Sequence, residues 1–256
     1  MLDGKVGLVL GVANQHSLAW HISKALADAR AQLILTVQGE RFEKRLKKLV
    51  AEAGFHQPPL LLPCDVQDDR QIEDLYTKIK EKFPRLDFLV HSIAYAEKED
   101  LAGKFVDTSR RGFQTALEIS AYSLLAVTRP ALPLMKEGGS IVTLTYLGSQ
   151  RAVPHYNVMG VAKAALESAV RYLAYDLGAK GIRVNALSPG PVNTLSARGI
   201  KGFTDFLGHV RANAPLQQNI AGREVGDAAL FLCSDLARGI TGETIFVDAG
   251  YHLKGS

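Results

Sequence analysis

Tyr146, Tyr156 and Lys163 are the residues whose types and spacing suggest chemistry. Tyr146 follows the β-branched run Ile141–Thr145, Tyr156 lies ten residues later, and Lys163 seven beyond that, in a segment with helical periodicity. Read as one helix, seven residues are two turns, which puts phenol and ammonium on one face about 10 Å apart along the axis. A phenol can hydrogen-bond to oxygen that is acquiring negative charge. A lysine brings a positive charge and three donors. Each alone is ordinarily structural. Together, at the end of a central strand and on the helix beside it, they form a candidate catalytic set.

A second constellation suits phosphate and adenosine. Gly11 ends the first apolar run and opens Gly11-Val12-Ala13-Asn14-Gln15-His16-Ser17-Leu18-Ala19. A glycine there permits a tight turn and close approach of a pyrophosphate. Ser17 is placed to cap the next helix, whose N-terminal amides attract anions, and Ala19 permits close helix–sheet packing. Only the first glycine of a G-x-G-x-x-G fingerprint is present. Asp65-Val66 ends a third strand, where a carboxylate can bond an adenine edge, and Ser92-Ile93-Ala94 ends a fourth with small residues beside the backbone. Gln38 stands where an acidic residue would normally hold the ribose 2′-hydroxyl. No cation directly follows it, which favours NADH over NADPH, with Arg41 and Lys44 leaving NADPH open.

The elements that must position these groups alternate. Strands are expected at Val6–Leu10, Leu33–Val37, Leu60–Cys64, Asp87–His91, Ile141–Thr145, Arg183–Leu187 and Ile245–Val247. Several are apolar at nearly every position, as strands buried on both faces are. Between them lie stripes of helical period: Ile22, Ala25, Leu26 and Ala29; Ile72, Leu75, Tyr76 and Ile79, capped by Asp68 or Asp69; and Leu166, Val170, Leu173 and Leu177, ending near Gly178 and Gly181. This predicts a single α/β domain, 1–256, with a Rossmann-like doubly wound parallel sheet of about seven strands. Its ligands belong at strand C-terminal ends, at the topological switch point.

Composition excludes other classes. The 256 residues carry 30 Lys+Arg against 26 Asp+Glu, and 47% are hydrophobic, so disorder is excluded. Cys64 and Cys233 are too few for a disulfide framework and read as buried apolar residues. No apolar run is long enough to span a membrane, and no basic block points to nucleic acid. The seven histidines show no metal-ligand spacing, so no metal site is expected. A cytoplasmic location fits these features.

The chain resembles the short-chain dehydrogenase/reductase superfamily and, within it, the bacterial enoyl-acyl-carrier-protein reductases. The specific part is Tyr156-Asn-Val-Met-Gly-Val-Ala-Lys163, wider than the superfamily's Tyr-x-x-x-Lys, with the upstream Thr145-Tyr146-Leu147-Gly148. His91-Ser92-Ile93-Ala94, Ser120-Ala121-Tyr122-Ser123, Val184-Asn185-Ala186 and Gly239-Ile240-Thr241-Gly242-Glu243 are similar too, so the likeness runs from residue 3 to 251. It implies NADH-dependent reduction of the trans-2 double bond of enoyl thioesters in fatty-acid biosynthesis, on acyl carrier protein, by a homotetramer. Tyr156 would donate to the developing enolate, Lys163 would hold the nicotinamide ribose, and Tyr146 would line the acyl pocket with Ala96 and Phe203. Val192, Thr194 and Ser196 resemble the family's contacts to the nicotinamide amide and pyrophosphate. Moving the tyrosine three residues farther from the lysine, about 4.5 Å of helix rise, is expected to bring its hydroxyl over the more distant thioester oxygen. Pro189 stands where alanine is expected and Glu97 where proline is, departures that bear on substrate preference.

After Pro191, glycines mixed with Leu195, Ile200, Phe203, Phe206 and Leu207 predict a substrate lid around 192–210. Arg198 and Lys201 would attract an acidic carrier protein. Two other readings are a short-chain reductase acting on a carbonyl and a dinucleotide-sensing protein without turnover.

Overall fold

The computed structural model describes residues 1–192, 194 and 203–254. The chain order is β1 (Val6–Leu10), α1 (Leu18–Asp28), β2 (Gln32–Val37), α2 (Glu40–Glu52), β3 (Leu60–Pro63), α3 (Asp69–Lys82), β4 (Phe88–His91), α4 (Lys98–Leu101), α5 (Arg110–Leu117), a π-helical turn (Glu118–Tyr122), α6 (Ser123–Ala131), β5 (Gly139–Leu144), α7 (Val158–Gly178), β6 (Ile182–Pro189), α8 (Phe203–Asn213), α9 (Gly222–Cys233) and β7 (Thr244–Val247). All seven expected strands are present, with ends differing by one or two residues. They pair in parallel in the order β3-β2-β1-β4-β5-β6-β7. The order reverses direction between β1 and β4, which makes their C-terminal ends the switch point.

Two apolar layers sandwich the sheet, as a sheet buried on both faces requires. One joins Leu8, Leu10, Ile34 and Leu89 to Ile72, Leu75 and Ile79 of α3 and to Leu166 and Val170 of α7. The other joins Val9, Leu33, Leu35, Phe88 and Val90 to Ile22 and Leu26 of α1 and to Val225, Ala229 and Leu232 of α9. Each such leucine or isoleucine contributes about 1.5–3 kcal/mol by leaving water. Asp68 caps α3 by accepting from Arg70 N at 3.0 Å. Gly181, with φ +69°, turns the chain out of α7 into β6. Gly7 is fixed by packing, since a Cβ there would lie 1.8 Å from the Phe88 ring. Pro189 sits at the last position of β6, on the register with Val247. Cys64 and Cys233 are buried and unpaired, each thiol pushed up to about 12 by burial. Among the described residues no helix is long and apolar enough to cross a membrane, and no cluster of His, Cys, Asp or Glu has metal-binding geometry.

Candidate active site

The first half of the candidate site starts at Gly11, at the end of β1. Its φ of +96° is a conformation L side chains rarely adopt, and a Cβ there would meet Ser92 O at 2.0 Å. The glycine therefore serves the close approach of the β1 and β4 loops, and it brings Ser92 and Ile93, both half-buried, to the mouth of the switch point. Asn14 is buried, and its Oδ1 accepts from His16 N at 2.7 Å. Ser17 holds the N-cap position of α1, but the expected side-chain cap is absent: its hydroxyl donates to Asn14 O at 2.7 Å. The local Asn14–Ser17 turn has taken that hydroxyl. The α1 amides thus carry no side-chain cap, an arrangement suited to an anion.

Gln38 and Asp65, far apart in sequence, meet at this mouth. Gln38 Nε2 donates to Asp65 Oδ2 at 3.0 Å, and Asp65 Oδ1 accepts from Gln67 N at 3.1 Å. Gln71 Oε1 accepts from Asp65 N at 3.0 Å, which ties this loop to α3. Val66, Leu18 and Val192 are partly buried and pack against the two apolar layers, so their side chains brace the cleft wall. Thr194 is half-buried and its amide donates to Val192 O at 2.7 Å. Ser196, Arg198, Lys201 and the lid segment 195–202 lie outside the described residues, as do the side chains of Arg41 and Phe203; Val192, Thr194 and the start of α8 are the described parts of the 192–210 region.

The other side is built from side chains. Tyr146 follows β5, and its ring meets the Tyr156 ring edge-on at 4.9 Å between centroids. Burial raises the Tyr156 phenol well above its ordinary value, with Tyr146 adding to the effect. Burial raises Tyr146 as well, helped by Tyr251 and Asp248. Both phenols are therefore protonated donors throughout neutral and mildly basic pH. Lys163 is buried at 4% exposure, and its Nζ donates to Leu144 O at 2.6 Å. Burial pulls its ammonium down to about 8, with Glu167 acting in the opposite direction.

Tyr156 is not on the helix, which corrects the two-turn spacing. α7 begins at Val158, while His155 and Asn157 on either side of the tyrosine have φ of +63° and +40°. Asn157 Nδ2 donates to Leu101 O at 3.2 Å and approaches Asp100 O at 3.5 Å, fastening this turn to the end of α4. The wider spacing thus takes the tyrosine off the helix, and a turn rather than helix rise sets its reach. Two glycines make room for it. A Cβ on Gly148 would lie 2.4 Å from the Tyr156 ring, and one on Gly160 would lie 2.7 Å from Gly148 O. Gly160 occupies the place of the superfamily's lysine, and here that position must be small because α7 crosses the Gly148 backbone.

Ala96 is half-buried and packs with Ala116, Val158 and Ala162, next to the start of α7. Ser120, in the π-helical turn, accepts from Tyr95 N at 3.0 Å and donates to Tyr95 O at 3.1 Å, holding the loop that follows β4. Glu97 accepts from the Tyr95 hydroxyl at 2.8 Å, so this departure from the expected proline anchors an exposed aromatic ring. His91 is fully buried between Thr143 and Ser123, at 2.9 and 2.7 Å. Burial first, and Lys163 second, lower its pKa to about 3, so it is neutral.

Sequence reasoning named Tyr146 and Tyr156, which pack ring to ring, Gln38 and Asp65, which bond to each other, Gly11, which abuts Ser92, and the buried Lys163. It passed over Asn157, Gly148 and Glu167 as working parts. A carboxylate inside the otherwise apolar stripe Leu166–Val170 was the available signal for Glu167.

A family model described as enoyl-(acyl carrier protein) reductase matches residues 11–252. The chain is 52% identical over 255 residues to the enoyl-acyl-carrier-protein reductase (NADH) FabI of Bacillus cereus, covering 100% of this chain and 99% of that one. It is 49% identical over 252 residues to the FabI of the same description from Bacillus subtilis, covering 98% and 97%. Among solved structures, the Bacillus cereus enoyl-acyl carrier protein reductase with NADP+ and an indole naphthyridinone superposes with a TM-score of 0.97 at 52% identity, covering 100% of this chain and 99% of that one. The Anaplasma phagocytophilum reductase in complex with NAD gives 0.95 at 48% identity, covering 100% and 96%. The chain belongs to the enoyl-acyl-carrier-protein reductase family.

Proposed function

We infer that the protein is an NADH-dependent enoyl-acyl-carrier-protein reductase that reduces the trans-2 double bond of enoyl thioesters in fatty-acid biosynthesis. The observation that carries the reading is full-length identity near 50% to reductases of that description. The edge-on Tyr146–Tyr156 pair beside the buried Lys163 agrees with it. The cleft suits a dinucleotide: glycine-permitted contact at Gly11, α1 amides without a side-chain cap, and an exposed Gln38–Asp65 pair at the far end. Gln38 is neutral and engaged with a carboxylate, which supports NADH over its 2′-phosphorylated counterpart.

When bound, NADH supplies the hydride that reaches the β-carbon of the substrate. Negative charge then collects on the thioester oxygen, and uptake of a proton at the α-carbon collapses this enolate to the saturated thioester. Tyr156 donates a hydrogen bond to that oxygen; its burial keeps the phenol protonated and the donor pre-oriented, the condition for electrostatic stabilisation to be effective. Lys163 spends one N–H on Leu144 O and keeps two for the nicotinamide ribose hydroxyls. Gly11, Ser17, Leu18, Val66, Ser92 and Ile93 line the dinucleotide path, with Val192 and Thr194 closing it. Tyr146 and Ala96 line the acyl side. The carrier protein delivers the acyl chain. The working assembly is a homotetramer in the cytoplasm.

Turnover of NADH and NADPH in parallel on a four-carbon enoyl thioester and on a 3-oxoacyl thioester tests this. NADH oxidation with the enoyl substrate alone is expected. Turnover confined to the 3-oxo substrate would make the protein a carbonyl reductase instead.

A further inference from the structure

Glu167 is 7% exposed and lies one helical turn beyond Lys163 on α7. Its neighbours Leu166 and Val170 are buried and apolar. A carboxylate in such surroundings is strongly unfavourable unless it is hydrogen-bonded. Here Oε1 accepts from Thr145 Oγ1 at 2.7 Å and from Ser149 Oγ at 2.5 Å. Those hydroxyls bracket Tyr146: Thr145 immediately precedes it and Ser149 ends the short turn that follows. One carboxylate oxygen thus fastens both ends of the Tyr146 turn to the helix that carries Lys163.

We propose that Glu167 is a positioning residue, a buried clamp that holds the Tyr146 turn against α7 and places a fixed negative charge behind the Lys163 ammonium. The proposal rests on the roles given to Tyr146, Tyr156 and Lys163 above. Tyr156 depends on the same clamp, because its ring packs on Tyr146 and against Gly148 within the clamped turn.

The charge has its own consequence. Around the ammonium stand Glu167 from its own helix, neutral His91 from β4 and the Leu144 carbonyl from β5. Glu167 is the one group on this list that favours the charged lysine through its own charge. Below about pH 8 Lys163 is an ammonium and above it an amine. Removing the carboxylate's charge moves that boundary to lower pH.

The test measures the NADH dissociation constant from mildly acidic to basic pH by cofactor fluorescence, together with kcat and KM on a four-carbon enoyl thioester. It uses the wild type, Glu167→Gln, Thr145→Val and Lys163→Ala. Glu167→Gln keeps an acceptor and loses the charge. Its NADH affinity is expected to match the wild type within about twofold at low pH and to weaken from about half a pH unit lower or more. Thr145→Val removes one clamp donor and keeps the charge. It is expected to leave the pH boundary in place and lower kcat about three- to tenfold, with NADH affinity retained. A Glu167→Gln profile superimposable on the wild type, with Thr145→Val also unchanged in kcat, overturns the proposal, provided Lys163→Ala weakens NADH. If Lys163→Ala binds NADH as the wild type does, the reading of the site itself falls, and the clamp falls with it.

Discussion

At the ends of β1, β2 and β3 the cleft is shaped by backbone and exposed polar groups; at β5 and α7 it is shaped by buried side chains. On the first side, Gly11 is pressed against Ser92 O, and Gln38 and Asp65 bond to each other in the open. On the second, two half-buried phenols, a buried ammonium and a buried carboxylate are packed between glycines and held by short hydrogen bonds. The difference follows from what each half must do. A dinucleotide's adenosine end needs recognition in water, where single contacts are worth about 0.5–1.5 kcal/mol and can be exchanged. Charge developing on a thioester oxygen needs donors fixed in advance where water is excluded. Substitutions of the buried phenols and of the glycines that seat them should therefore change rate, whereas those on the open side, and of Lys163 among the buried groups, should change affinity.

Tyr156→Phe is expected to have the largest effect. Loss of one pre-oriented donor lowers kcat on an enoyl thioester by about 10²–10³-fold, measured as NADH oxidation under saturation. A loss of less than about tenfold would move the oxyanion contact elsewhere. Gly160→Ala comes next. Its methyl would sit 2.7 Å from Gly148 O, so α7 and the Tyr146 turn must separate, at about 1–3 kcal/mol of stability. Thermal unfolding should fall by several degrees and kcat/KM by about tenfold, with NADH affinity little changed. Gln38→Ala, on the open side, should raise the NADH dissociation constant about two- to fivefold without altering kcat, read by fluorescence titration and saturating turnover.

The smallest effect concerns His91. Its folded pKa is near 3, below its ordinary value, so the unfolded chain binds the extra proton first as pH falls. The stability it contributes is complete above about pH 6.5 and is lost progressively toward pH 3. Urea midpoints measured between neutral pH and pH 4 should fall less steeply in His91→Gln than in the wild type. Parallel slopes would mean that another group dominates the acid limb.

The same contrast explains what the sequence could disclose. The seven strands, the parallel sheet and the open side follow from local signals: apolar runs such as Val6–Leu10, the glycine after β1, and polar residues after β2 and β3. Tyr146, Tyr156 and Lys163 were visible as types at a spacing. That Tyr156 leaves the helix was not, because it depends on left-handed backbone at His155 and Asn157 and on Asn157 reaching carbonyls more than fifty residues away. Nor does Ser17 announce that it bonds Asn14 O in place of capping α1. Glu167 reads in sequence as one charge in an apolar stripe. Its role appears only when β5 and α7 pack and two hydroxyls converge on one oxygen.

The division of labour between phenol and ammonium is tested most directly by equilibrium NADH titration of Tyr156→Phe and Lys163→Ala beside the wild type at neutral pH. The expected result is an unchanged dissociation constant for Tyr156→Phe and a rise of about tenfold or more for Lys163→Ala, the size of a lost charge-assisted hydrogen bond. Equal weakening in both variants, or none in Lys163→Ala, would contradict the assignment of cofactor grip to the lysine and of oxyanion support to the tyrosine.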